Sequence, residues 1–418
     1  MNVLCKCNRE INADVTVIGG GTAGVFAAIS SARSGAKTVL IEKNSILGGT
    51  MTVANVNYPG LFFAWGNQII DGPCWEAIQR TVELGGAVIP EITYKPEKHW
   101  YEQIRLNSFI FTTVLFQMCE ETGVEVMCNT MLSDAVEYKD YVKLVLTEKT
   151  GLFVVNTKVA VDATGDANLI QILGLPVEKS NILQPATLQN HISGYCNNYD
   201  LDEIREQLKK SDLPRHIGIP QIISFLDTHT ISAHCSCVNA DTSAGKTELE
   251  RNARADILKI YKFLRTIKGL EKLEIDFAAE ETGVRETNRI IGETVISAED
   301  YINGKFYDDS VCYAFYPIDL HVMDGIRKTY HAENLVSKIP YSALIPKGTK
   351  RILCAGRCIS SDTYANSAIR VEATCMATGQ VVGCASALAA KNETNVKNVD
   401  YQVLCNALKN INAIVPTD

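Results

Sequence analysis

The feature that most constrains this chain is a glycine cluster between a short apolar run and a small-residue helix. Asp14-Val15-Thr16-Val17-Ile18 reads as a strand, and Gly19-x-Gly21-x-x-Gly24 follows at once. Ala23 to Arg33 is made of helix formers and small residues, and Gly35 stops it. Lys37-Thr38-Val39-Leu40-Ile41-Glu42 is the next strand. A strand, a helix and a second strand at this spacing require a right-handed crossover and a parallel sheet. In such a turn the first glycine permits the tight bend, the second lets backbone approach a pyrophosphate, and the third lets helix and strand pack closely. The helix start offers free N–H groups and positive dipole, to which Thr22 and Ala23 belong. Glu42, with Lys43 beside it, closes the second strand where a carboxylate can accept ribose hydroxyls. The competing reading is a glycine-rich turn beside an exposed Glu. Strand, helix and acid together favour a dinucleotide.

Later segments repeat this grammar. Tyr101 to Thr122 reads as a helix and Val124 to Met127 as a strand. Tyr141–Glu148 and Leu152–Val155 alternate like hairpin strands, and Lys158 to Ala163 is a further apolar run. The middle of the chain is richer in aromatics, prolines and histidines, with a charged amphipathic helix from Thr247 to Lys268. From Arg351 the first style returns. The expected class is α/β: a Rossmann-like dinucleotide-binding domain built on a parallel sheet, with an inserted α+β substrate domain. Its parts are residues 11–173, the insert 174–346, and the closing part 347–418.

Three turns separate FAD from NAD. Leu47-Gly48-Gly49-Thr50 can run beside a ribityl chain. Ala163-Thr164-Gly165 ends a late strand, and Gly356-Arg357 ends another near the C-terminus, ahead of a small-residue helix from about Glu372. A domain binding NAD alone does not need the last two. Such a helix start could aim N–H groups at a flavin carbonyl.

These residues, with Asn57-Tyr58-Pro59-Gly60-Leu61-Phe62, Gln184-Pro185-Ala186-Thr187-Leu188, Gly283-Val284-Arg285-Glu286-Thr287, Tyr316-Pro317-Ile318-Asp319-Leu320-His321 and Ile369-Arg370-Val371, resemble the bacterial FAD-dependent oxidoreductase family of the glutathione-reductase-like superfamily. The resemblance runs through nearly the whole chain and implies tightly bound FAD and redox chemistry on a small molecule. It implies no particular substrate. In one departure Asn288 precedes Arg289 where the family pattern has two arginines. Only one glycine fingerprint is present, so a nicotinamide donor would have to visit the flavin face itself, or electrons would pass to an external carrier. The alternative is an electron-transfer subunit of a larger redox complex.

The middle region should supply the proton-transfer groups. His191 lies in an alternating run and is either a general acid/base or a half-buried sheet histidine. Asp319 and His321 are two apart, so on a strand they share a face, where a carboxylate can hold an imidazole tautomer. Arg285 either binds a substrate carboxylate or reduced-flavin charge, or pairs with a neighbouring acid. Ile369 and Arg370, ahead of the last long helix, are expected near the flavin. No metal site is expected.

Net charge is -8, which repels phosphate backbones and argues against nucleic acid. No apolar run of membrane-spanning length is evident and the first ten residues are polar, so a cytoplasmic protein away from membranes is expected. The fourteen cysteines are scattered, with Cys128, Cys354 and Cys384 assigned to strands and Cys5/Cys7 and Cys235/Cys237 forming Cys-x-Cys pairs. They read as small hydrophobes in a reducing compartment. Cys375, at a helix start, is a candidate for a stabilised thiolate. The sequence leaves a homo-oligomer open.

Overall fold

The computed structural model describes residues 7–95, 98–196, 199–235, 237–323 and 325–417, so Cys5 lies outside the described residues. A seven-stranded sheet organises the nucleotide lobe. Cys7–Ile18 lies between Thr38–Ile41 and Gly151–Asp162, parallel to both. Glu125–Met127 extends one side and Ile352–Cys354 the other, again in parallel. The two ends of the chain therefore complete one sheet.

Gly151–Asp162 is a single strand of 12 residues, not two runs. Its first half pairs antiparallel with Val142–Glu148, and its last three residues pair with Ile352–Cys354. Side chains alternate across the sheet: Val15, Val17 and Leu40 face one core, and Val39, Ile41 and Ala160 the other. Both faces are covered, as a parallel sheet requires.

The helix expected from Tyr101 starts later, at Ser108, and ends at Glu121. Asn107 decides this: its side-chain oxygen accepts from the backbone N–H of Phe109 and Ile110 at 3.0 and 3.1 Å. His99–Glu102 forms a separate 3-10 turn.

The last long helix, Glu372–Lys391, lies against Thr22–Arg33. A Cβ at Gly379 would stand 2.2 Å from the Ala23 carbonyl oxygen, and one at Gly383 2.3 Å from that of Ala27. The small residues thus let two backbones touch. By length and composition this helix passes for a membrane span, contrary to the sequence reading, but 94% of its most apolar window is buried inside the protein. Cys384 sits in it rather than in a strand, and Cys128 follows a strand end.

The middle region has its own three-stranded sheet, with Thr187–Ser193 between Thr230–His234 and Glu274–Ala278. Apolar residues from Leu188 to Ala279, including those of the helix Ser243–Leu264, form a separate core. Those from Ile296 to Ile345 join the core of the nucleotide lobe instead.

Candidate active site

The glycine turn is shaped by contact on two sides and left open on a third. A Cβ at Gly19 would lie 2.5 Å from the Ala163 carbonyl oxygen, and one at Gly24 only 1.7 Å from that of Gly19. At Gly21 the nearest atom would be Gly49 Cα, 3.8 Å away. Gly48 N–H donates to Gly20 O at 2.8 Å, which closes the second glycine loop against the first. Glu42 is buried on the wall: Oε2 accepts from Gly20 N–H at 2.6 Å and Oε1 from Asn44 N–H at 2.7 Å. Burial pushes its pKa up against the pull of these two bonds. Gly21 caps the helix with no side-chain bond, so the first-turn N–H groups lack intrahelical partners.

From this turn a cleft of about 700 Å³ runs to the middle region. Gly19, Gly21, Thr22, Ala23, Glu42, Lys43, Gly49, Thr50, Ala163, Thr164, Gly165, Gly356, Arg357 and Arg370 all line it. Gly24 and Gly48 shape the turns without lining it, and Ile369 is fully buried outside it. Arg357 ties the turns together: Nε donates to Gly165 O at 2.9 Å, and its guanidinium also meets Val284 O and Asp166.

A family model described as FAD dependent oxidoreductase matches residues 14–408. The chain belongs to that family. Over 43 residues it is 63% identical to the mitochondrial dihydrolipoyl dehydrogenase of Mus musculus and 60% identical to that of Homo sapiens. Each match covers 10% of this chain and 8% of the other enzyme. Among solved structures, a geranylgeranyl bacteriochlorophyll reductase-like protein of Thermoplasma acidophilum is 14% identical with a TM-score of 0.48, over 96% of this chain and 83% of that one. The OxyS anhydrotetracycline hydroxylase of Streptomyces rimosus is 9% identical with a TM-score of 0.46, over 96% and 66%.

FAD is accordingly the cofactor, and the residues fit it. The gap between Gly21 and Gly49 is a cradle that one methyl group would fill. Each Glu42 oxygen keeps lone-pair capacity beyond its backbone bond.

The far end of the cleft holds most of the expected substrate-side groups. Asp319 and His321 share the strand Ile318–Val322, with His321 Nε2 3.2 Å from Asp319 Oδ2. His321 Nδ1 lies 3.0 Å from His234 Nε2. Burial, then the charge of Arg285, pushes the His321 pKa down to about 3. Burial raises the Asp319 carboxyl, but the His321 bond and Arg370 outweigh it and hold the pKa below the usual carboxylate range. The pair is therefore a neutral imidazole and a carboxylate. Nε2–H donates to Asp319, and the bare Nδ1 accepts from His234. Both ring nitrogens of His321 are thus engaged inside the protein.

Arg285 also lines the cleft, donating from Nη1 to Pro185 O and, at 3.0 Å, to Thr187 Oγ1. His191 is not among the lining residues. Its Nδ1 bonds Asp276 at 2.6 Å, and its side chain is 42% exposed. Thr187 and Gln189 share its face of the strand and do line the cleft, but His191, two residues further along, does not. Arg289 is buried, donating to Ser361 O at 3.0 Å, and also lies outside the cleft. Cys375 does line it, but burial pushes its thiol well up and Sγ meets Arg370 O at 3.2 Å. Desolvation thus overrides the helix-start stabilisation that made Cys375 a candidate thiolate.

Glu372 was missed in the sequence reading. It opens the last helix and lines the cleft, and burial raises its pKa to about 7 against Arg370, Arg357 and its own backbone hydrogen bond. An acid in a helix's first turn reads as an ordinary dipole partner, so no sequence signal marked it. His234, which its sequence surroundings mark only as a structural or solvent-exposed histidine, meets a partner 87 residues away.

Proposed function

We propose that the chain transfers a hydride between bound FAD and a small organic molecule, by dehydrogenation or double-bond reduction, with Glu372 as the proton-transfer group. The observation that carries this is Glu372, a cleft-lining carboxyl with a pKa of about 7 within reach of the charges of Arg370, Arg357 and Arg285. A carboxyl near neutrality is suited to both accepting and giving a proton at working pH. Bound flavin supplies the acceptor or donor of the electron pair; the protein supplies the proton path and the charge. In the oxidising direction the substrate loses a hydride from carbon, and the proton from its adjoining O–H, N–H or C–H passes to Glu372. His321, with both ring nitrogens engaged, acts here as a positioning residue that fixes Asp319, and Asp319 in turn meets Arg370 at 3.4 Å.

The test is anaerobic photoreduction of the holoprotein followed by reoxidation with oxygen, nicotinamides, quinones and enoates. Reoxidation by a small organic acceptor supports the reading. Reoxidation by a protein electron carrier alone overturns it and favours an electron-transfer subunit. Glu372→Gln should retain flavin, lower kcat by roughly 10²–10⁴-fold and abolish the limb of the pH profile near neutrality. An unchanged profile would remove Glu372 from this role.

A further inference from the structure

We infer that Arg285 and Arg370 form a carboxylate-binding subsite, so that the substrates of this enzyme are small organic acids. The inference rests on the proposed redox reading of the same cleft, and it starts from a count of donors and acceptors. Arg370 Nη2 reaches Gln184 Oε1 at 3.3 Å and Asp319 Oδ1 at 3.4 Å, both long for charge-assisted bonds. Its Nε is buried with no acceptor. Gln184, outside the cleft lining, backs the two arginines: its Oε1 accepts from His321 N–H at 3.0 Å and its side chain also bonds Glu286. Among the described residues the hydrogen bonds of Arg285 leave from Nη1. A guanidinium carries five N–H donors and no acceptor, so the two arginines leave a surplus of donors.

The charge balance points the same way. Of the three carboxyls near the two guanidinium groups, Asp319 is held below the usual range, while burial pushes Glu286 up and Glu372 up to about 7; His321 and His234 are neutral, pushed down to about 3 and about 4. Arg357 is already matched by Asp166. Burial and then the charge of Arg370 push Arg285 down to about 10, so the enclosed cations strain against each other. An arriving carboxylate relieves that repulsion and supplies the missing acceptor oxygens at once. Tyr58 and Tyr316 also line this cleft, giving an apolar wall for the carbon chain of such an acid.

The experiment uses the flavin-loaded protein and small acids paired with their primary amides: fumarate, crotonate and lactate against fumaramide, crotonamide and lactamide. Binding is read from perturbation of the flavin absorption spectrum and from the shift in Tm. The acids should bind about 10- to 100-fold more tightly than their amides, the loss expected when charged hydrogen bonds are removed. Arg370→Gln should weaken the acids by a similar factor and leave the amides unchanged. The acid–amide comparison on the unmutated protein holds even if a variant folds poorly. Amides binding as well as acids, or no acid binding at all, overturns the inference. So does an Arg370→Gln protein with a shifted flavin potential and unchanged acid binding, which would assign the arginine to the flavin. If acids bind but no organic acceptor reoxidises the flavin, the proposed reaction fails while this subsite stands.

Discussion

Replacing Gly21 by alanine separates folding from cofactor binding. The backbone there is at φ -70 and ψ -176, which any residue adopts, and the new methyl would meet only Gly49 Cα at 3.8 Å. The empty protein should therefore keep its stability within about 0.5 kcal/mol, or gain up to about 1 kcal/mol from a stiffer unfolded chain. The same methyl stands where the pyrophosphate must approach the helix start. Losing two charge-assisted backbone bonds, at about 1.5–3 kcal/mol each, costs about 3–6 kcal/mol, or roughly 10²–10⁴ in Kd. Gly24→Ala is the contrast: its methyl would fall 1.7 Å from a backbone oxygen, so it should lower the stability of the empty protein outright. The assay is FAD titration of deflavinated protein by fluorescence quenching, with urea unfolding of each empty variant. Gly21→Ala protein that binds FAD with the original Kd would refute the assignment of the Gly21–Gly49 gap to the pyrophosphate.

Glu42→Ala strips acceptors from the buried N–H groups of Gly20 and Asn44, which should cost about 2–5 kcal/mol in urea unfolding and weaken FAD binding; an unchanged midpoint counts against this wall. His331 contributes acid sensitivity, since burial lowers its pKa to about 4 from an ordinary 6.5. Between those values the unfolded chain holds more protons, so its contribution is complete above pH 6.5 and is lost as pH falls towards 4. Tm measured across that window should fall less steeply in His331→Gln than in the unmutated protein; parallel curves would refute the sign.

The nucleotide lobe was legible because its signals are local. A strand, three glycines, a helix and an acid sit within 29 residues, from Asp14 to Glu42, and each obeys a steric rule that holds wherever the chain lies. The pairing of Asp319 with His321 was legible for the same reason, as strand periodicity acts over two residues. The late start of the helix at Ser108 was less visible, because the capping bond of Asn107 competes with several turns of apolar pattern. The substrate end is different in kind. His191 and His321 both lie on strands, but only His321 reaches the cleft, because segments far apart in the chain decide which part of each strand borders it. Glu372 gained its raised pKa, and Cys375 lost its candidate thiolate, through burial that distant segments impose. What the residues determine by themselves is the dinucleotide turn and the sheet around it, since steric fit is a property of neighbours in the chain. What only the tertiary structure decides is which polar groups lose water together, because desolvation and charge act through space and not along the backbone.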